Sequence, residues 1–369
     1  MPEVPSVEGR QALAGIKPYV PGKPIEEVER ELGISNVIKL ASNENPLGPS
    51  PDAVVAIREI GEKVYLYPDG ACHYLRQAVA DHLRLTPAHL IIGNGSDEIL
   101  KLIAEAYLEP DDEIIMADPS FSEYEFVARV MGAGVVKVPT RDFRHDLEAM
   151  AGKITERTKL IFVCNPNNPT GTIVSRLEVE AFLSQVPPGV MVILDEAYHE
   201  YVSDAGYPAS LEYVKNGRSN VIILRTFSKI YGLAGLRVGY GVAVPEVIAW
   251  INRAREPFNV NIVAQAAALA ALKDQLHVDH SRRVNEEGKS YLYGRFDEMG
   301  LSYVPTEANF ILVNVRADSR QVFREMLQEG VIIRTGDIFG LDQWIRVTIG
   351  TRRQNQRFAD TLDRVLSKL

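Results

Sequence analysis

The chain has 369 residues, 46% of them hydrophobic and 24% charged, and a formal net charge of -9. An acidic surplus leaves no basic face for nucleic acid or an anionic membrane, and two cysteines, Cys72 and Cys164, are too few for a metal cluster and unneeded as a staple at this length. Small molecules are therefore the expected partners, with no nucleic acid, no membrane and no metal among them. The start, Met1-Pro2-Glu3-Val4-Pro5, has neither a basic nor an apolar stretch, and the longest near-apolar run, Ile262 to Leu272, is short for a bilayer, so a cytoplasmic location is expected.

In chain order, the first forty residues carry Pro2, Pro5, Pro18, Pro21 and Pro24 and read as an arm that crosses to another surface and joins part of a small domain. Strands are then expected at Leu90 to Ile92, Glu113 to Met116, Val135 to Val138, Leu160 to Val163, Val190 to Leu194, Val221 to Leu224 and Val238 to Val242. Amphipathic helices lie between them. Asp97 to Tyr107 is the clearest, with Ile99, Leu100, Ile103, Ala104 and Tyr107 at helical spacing and acidic residues in the first turn. Glu246 to Leu272 reads as helices broken at Pro257, a passage between domains. From about residue 282 the pattern becomes helix, strands at Ile311 to Val315, Val331 to Arg334 and Ile345 to Thr348, and a closing helix from Arg353. The predicted fold class is α/β: a large domain over 41–275 with a mostly parallel central sheet flanked by helices, and a smaller α+β domain over 276–369.

Four segments fall at the carboxyl ends of expected strands or directly after them. Ligands bind there in open α/β sheets, so the four point at one crevice. In Gly93-Asn94-Gly95-Ser96-Asp97-Glu98 a strand runs through glycines into a helix start, offering N–H groups and a hydroxyl to an anion; the plainer reading is Ser96 as an N-cap. In Cys164-Asn165-Pro166-Asn167-Asn168-Pro169-Thr170-Gly171 two prolines fix the backbone and hold Asn168 with an amide able to donate to a phenolate-like oxygen, the alternative being a rigid loop.

In the third, Asp195 closes the apolar run Val190 to Leu194. A desolvated carboxylate there needs a cationic partner or several hydrogen bonds, and a pyridinium nitrogen is such a partner, with Tyr198 placed to bond a phenolic oxygen. Magnesium is the rival ligand, but the chain has no Walker A loop. The fourth is Thr226-Phe227-Ser228-Lys229 with Arg237: a lysine at a strand end, desolvated enough for a Schiff base, beside hydroxyls, glycines and an arginine that make a phosphate cradle. A lysine beside a phosphate site suggests pyridoxal phosphate. A surface lysine in a glycine-rich loop is the bland alternative.

Together, Gly95 to Glu98, Asn165 to Gly171, Asp195 to Tyr198 and Ser228-Lys229 with Arg237 resemble the fold-type I aminotransferases that use pyridoxal 5'-phosphate, over about residues 35 to 350. More narrowly, Lys17-Pro18-Tyr19, Leu40 to Pro46, Tyr67-Pro68-Asp69, Gly232 to Arg237 and Ile345 to Gly350 look like the histidinol-phosphate aminotransferase family. The resemblance implies amino-group exchange between histidinol phosphate and 2-oxoglutarate, giving imidazole acetol phosphate and glutamate in histidine biosynthesis, by a homodimer.

It also implies roles. Lys229 would hold the cofactor and shuttle the proton, and Asp195 would pair with the ring nitrogen. Asn168 and Tyr198 would bind the phenolic oxygen. Gly95, Ser96, Asp97, Thr226, Ser228 and Arg237 would line the phosphate side, helped by Tyr67 of the partner subunit. Phe121 falls where the family stacks an aromatic, often tyrosine, on the ring. Tyr19, Asn43, Arg334 and Arg346 would bind substrate, the arginine forks suiting a phosphate ester in one half-reaction and a dicarboxylate in the other. Structural salt bridges are the alternative for both arginines. Rival activities are an aromatic amino-acid aminotransferase and a threonine-phosphate decarboxylase. A pyridoxal-binding sensor domain of a transcription regulator is disfavoured, since only about sixteen residues precede Lys17.

Overall fold

A computed structural model describes residues 9–16 and 22–369. Seven short apolar runs pair into one sheet: β1 (Leu90–Gly93), β2 (Glu113–Asp118), β3 (Gly134–Pro139), β4 (Thr158–Cys164), β5 (Met191–Asp195), β6 (Val221–Thr226) and β7 (Gly239–Val242), in the order β1-β7-β6-β5-β4-β2-β3. β2 to β6 pair in parallel, while β7 runs antiparallel to both β6 and β1. β5 and β6 are buried at every position, which is why they read as unbroken apolar runs rather than as alternating ones.

One edge of this sheet gathers the carboxyl ends of β1 to β6 together with the amino end of β7. The register aligns them closely: Gly93 and Thr226 both face Gly239, and Asp195 lies between Cys164 and Leu224. Helices cover the faces. Ser96–Tyr107 buries Ile99, Leu100, Ile103 and Ala104 of the expected stripe and Leu102 beside them, while Tyr107 is only part-buried.

A second apolar core gathers around β8 (Tyr303–Val304), β9 (Phe310–Asn314), β10 (Arg334–Thr335) and β11 (Trp344–Thr348), an antiparallel sheet in the order β10-β11-β9-β8. The break at Pro257 is real, between helices Pro245–Ala254 and Ile262–Lys273, but both helices pack on the first core. The crossing is made instead by Gln275–Glu298. This helix of 24 residues, about 36 Å long, puts Val278 in the first core and Leu292 and Phe296 in the second.

The single strand expected at Val331 to Arg334 is two. Val331–Ile332 pairs in parallel with Ile38–Lys39, its Ile332 packing with Val28, Val37 and Ala41, and the chain then enters the four-stranded sheet at Arg334. Arg334 thereby faces Arg346 directly across the ladder. The stretch expected as an arm is likewise folded from residue 25, as helix Ile25–Leu32 in that same small cluster.

The loop after β6 is pinned to the segment that follows Ile38–Lys39. Asn45 donates to the carbonyl of Ile230 at 2.7 Å, and Gly232, at φ +69°, would place a Cβ 2.2 Å from the carbonyl oxygen of Gly48. Both the positive φ and the backbone contact forbid a side chain. Gly232→Ala is expected to cost roughly 2–4 kcal/mol of stability. Urea unfolding measures this directly, and a loss within experimental error would show that the two segments are not held so closely.

Candidate active site

The shared sheet edge opens into a cleft whose far wall comes from the second core. Asn43, Ser96, Asp97, Phe121, Asn168, Asp195, Tyr198, Thr226, Ser228, Lys229, Arg237, Arg334 and Arg346 all line it. Gly95 sits just behind the guanidinium of Arg237. Tyr67 does not reach the cleft of its own chain: it is 82% exposed and stacks on Phe258 with ring centroids 4.8 Å apart. Tyr19 lies outside the described residues.

The anion end is built by close backbone packing. Gly95, at φ +84°, is itself the N-cap of helix Ser96–Tyr107 and gives no side-chain cap, so Ser96 is the first helical residue rather than its cap. Its hydroxyl and the free N–H groups of the first turn are left for a ligand. A Cβ on Gly95 would lie 2.8 Å from Nη2 of Arg237, and one on Gly239 would lie 2.7 Å from the nitrogen of Ser96, so only glycines allow β7 and this turn to meet. Arg237 donates to Asp97 at 2.8 Å and to the carbonyl of Ala234. Asp97 thus orients the arginine. Thr226 is committed in part to the loop, its Oγ1 accepting the N–H of Ser228 at 3.0 Å.

Lys229 and Asp195 occupy the middle. Burial, helped by the charge of Arg346, lowers the Lys229 amine to about 8; its Nζ donates to the carbonyl of Ser42 at 3.3 Å and lies 5.6 Å from the Tyr198 ring centre. Asp195 is 3% exposed, and burial raises its carboxyl to about 6. Its oxygens accept from the Tyr124 hydroxyl at 2.7 Å and from the Ala197 N–H at 3.2 Å, and no ion pair among the described residues includes it. A buried carboxylate without a cation is the partner that a protonated ring nitrogen requires.

Beside them Tyr198 accepts from Nδ2 of Asn43 at 2.9 Å, which leaves its own proton to be donated elsewhere. In the turn after β4 two of the three asparagines are structural. Asn165 brackets Val174 with both ends of its amide, while Asn167 joins Pro119, Ser120, His145 and Thr170. Asn168 alone faces the cleft. Its Oδ1 accepts from Nη1 of Arg346, so its amide N–H groups remain as donors. Arg346 also donates to the carbonyl of Ala41 at 2.7 Å and lies 5.3 Å from the Phe310 ring centre.

The arrangement can hold a planar aromatic with a basic ring nitrogen, an acceptor oxygen beside Tyr198 and Asn168, and a phosphate at the helix terminus. Among the described residues no group of three or more His, Cys, Asp or Glu is placed to hold a metal ion, and no helix is long and apolar enough to cross a membrane. Sequence reasoning missed Ser42, Tyr124, Ile338 and Phe339. Tyr124 carried no local signal, since Phe121 lies ahead of its helix and its partner Asp195 is 71 residues away.

The chain is similar to known proteins along nearly its whole length. Residues 35–362 match the family model for aminotransferase class I and II. The chain is 66% identical to histidinol-phosphate aminotransferase of Moorella thermoacetica, over 97% of this chain and 93% of that one. It is 51% identical to histidinol-phosphate aminotransferase 2 of Carboxydothermus hydrogenoformans, over 98% and 99%. The crystal structure of histidinol-phosphate aminotransferase from Sinorhizobium meliloti, in complex with pyridoxal-5'-phosphate, superposes with a TM-score of 0.91 at 28% identity, covering 99% of each chain.

The depressed Lys229 pKa makes a stability prediction for the ligand-free protein. Between about 8 and 10.5 the unfolded chain binds more protons at this site than the folded one, so the lysine costs stability below that window and the cost vanishes as pH rises through it. Lys229→Met is expected to be more stable than wild type by about 1–3 kcal/mol at neutral pH, the gap closing towards the unfolded lysine pKa. Denaturant titrations across pH test it; a variant less stable than wild type at neutral pH would refute the burial cost.

Proposed function

The chain belongs to the aminotransferase class I and II family, and from that premise we propose that it transfers an amino group from histidinol phosphate to 2-oxoglutarate, using pyridoxal 5'-phosphate. The observation that carries the reading is the cleft's middle: a part-buried amine just past one strand and a buried carboxylate at the end of its neighbour, not paired with each other. When bound, the cofactor supplies an aldehyde for the amine and a ring that withdraws electrons from the reacting carbon.

The protein's part follows from its own groups. An amine lowered to about 8 is partly unprotonated near neutral pH, so Lys229 can act as a nucleophile and then carry a proton on Nζ. Asp195 holds the ring nitrogen in its protonated form, and that positive charge in turn favours the carboxylate. Tyr198 and Asn168 supply two donors for the oxygen on the ring, while Phe121 lines one wall. Ser96, Ser228, Arg237 and the start of helix Ser96–Tyr107 receive the phosphate, with Gly95 and Thr226 shaping the turn around it.

Histidinol phosphate as donor is supported by the name its relatives share, and the second-core wall suits it. Arg334 and Arg346 face each other across one ladder pair and both line the cleft, concentrating positive charge where an anionic substrate would lie. The same forks suit the two carboxylates of 2-oxoglutarate, with Asn43 beside them and Tyr19 a further candidate. A homodimer is part of the proposal. The run Val64-Tyr65-Leu66-Tyr67 is exposed along its whole length, and Tyr67 lies outside its own cleft, as a residue serving a second copy would. A place in cytoplasmic histidine biosynthesis completes the reading.

Initial rates with histidinol phosphate, phenylalanine and threonine phosphate as donors test the activity. Glutamate is expected to appear from 2-oxoglutarate with the highest kcat/KM for histidinol phosphate, and release of carbon dioxide in its place would make the protein a decarboxylase. Lys229→Ala is expected to lose both turnover and the visible absorption of the bound cofactor. Arg346→Ala should lower kcat/KM by about a hundredfold, since it removes charged hydrogen bonds of about 1.5–3 kcal/mol each.

A further inference from the structure

We propose that Tyr124 is a positioning residue for the ring end of the cleft, holding the carboxylate of Asp195 and the ring of Phe121 where they meet the cofactor. The inference rests on the pyridoxal phosphate reading and extends it to a side chain that does not line the cleft. Tyr124 is fully buried near the start of helix Glu123–Met131, which follows directly on β2. Its hydroxyl donates to Oδ2 of Asp195 at 2.7 Å. The ring producing that bond cannot easily move. It stacks on Phe162 of β4, centroids 4.6 Å apart at 10°, and meets Phe121 edge to face at 5.6 Å and 85°.

A tyrosine has two side-chain torsions, and contacts on its face and edge fix both. Its hydroxyl therefore arrives at Asp195 in one direction. The Ala197 N–H holds Oδ1 of the same carboxylate at 3.2 Å, so both oxygens are oriented before any ligand arrives. What remains of their acceptor capacity is available to the cleft. Burial raises the phenol well above its usual range, which keeps Tyr124 a donor at working pH, and its bond opposes the burial that favours protonated Asp195. Phe121, the wall expected to face the ring, rests on the same tyrosine. One buried residue thus ties the ring's nitrogen partner to its stacking wall.

The test is a double-mutant cycle read by pyridoxal phosphate affinity, titrated by fluorescence on cofactor-free protein, with Tyr124→Phe, Asp195→Asn and the pair. Tyr124→Phe should weaken cofactor binding about tenfold or more, the value of one hydrogen bond to a charged acceptor. It should also shift the pH midpoint of the holoprotein's visible band. In the Asp195→Asn background the same substitution should weaken binding by much less, because the carboxylate it serves is gone. Equal losses in both backgrounds, or wild-type affinity and midpoint in Tyr124→Phe, would overturn the inference while leaving the aminotransferase reading intact. Wild-type protein that takes up no pyridoxal phosphate overturns both. Should Tyr124→Phe alone fail to fold, recovery of the fold in the double variant supports the pairing, and no recovery overturns it.

Discussion

Burying a charge without a partner costs several kcal/mol, and this fold does so twice within one cleft. Asp195 ends one strand and Lys229 follows three residues after the end of its neighbour, where an ion pair would relieve both. They are kept apart: the amine turns to the carbonyl of Ser42, and the carboxylate to Tyr124 and Ala197. One position along from Asp195 the opposite choice is made. Glu196 meets Arg225, the residue before Thr226, in a buried ion pair at 2.8 Å. The same two strand ends therefore carry a satisfied pair beside an unsatisfied one, and the unsatisfied one lines the cleft. The contrast marks the cleft as a place where the missing partners come from a ligand.

Sheet polarity determines which groups can take part. With β7 as the one reversed strand, its amino end joins the carboxyl ends of the six others, and the turn after β1 meets β7 at a distance only Gly95 and Gly239 permit. That close approach brings Arg237, which leads into β7, against the helix start at Ser96. This end of the cleft thus depends on two glycines that contribute no side chain to it. Their role is to let the donors converge.

Much of this was legible in the chain. The strands were readable because sheets buried on both faces need uninterrupted apolar runs, and Lys229, Asp195 and Ser96 stood out by ending or following such runs. What depends on tertiary partners was not. Asn165, Asn167 and Asn168 look alike in sequence, and only packing against Val174 and His145 separates two structural amides from the one facing the cleft. The apposition of Arg334 and Arg346 follows from a strand that changes sheets after Ile332, a switch with no local signal. Tyr124 was hidden for the same reason, since its partner lies 71 residues away.

The two walls of the cleft are held by different cores, and this divides their work. The wall with Lys229, Asp195 and Ser96 belongs to the seven-stranded sheet and carries the groups proposed to meet a pyridoxal ring and phosphate. The wall with Arg334 and Arg346 belongs to the four-stranded sheet and carries the groups suited to a variable substrate anion. A fold of this kind can change substrate by altering the second wall while the first stays fixed. The walls are not independent, however. Arg346 donates to Asn168 on the first wall and to Ala41 in the segment between them, so the plane of its guanidinium is set partly by the residue that would bind the cofactor's oxygen. An anion that draws on Arg346 therefore also draws on the amide of Asn168, so the two walls are coupled through one hydrogen bond.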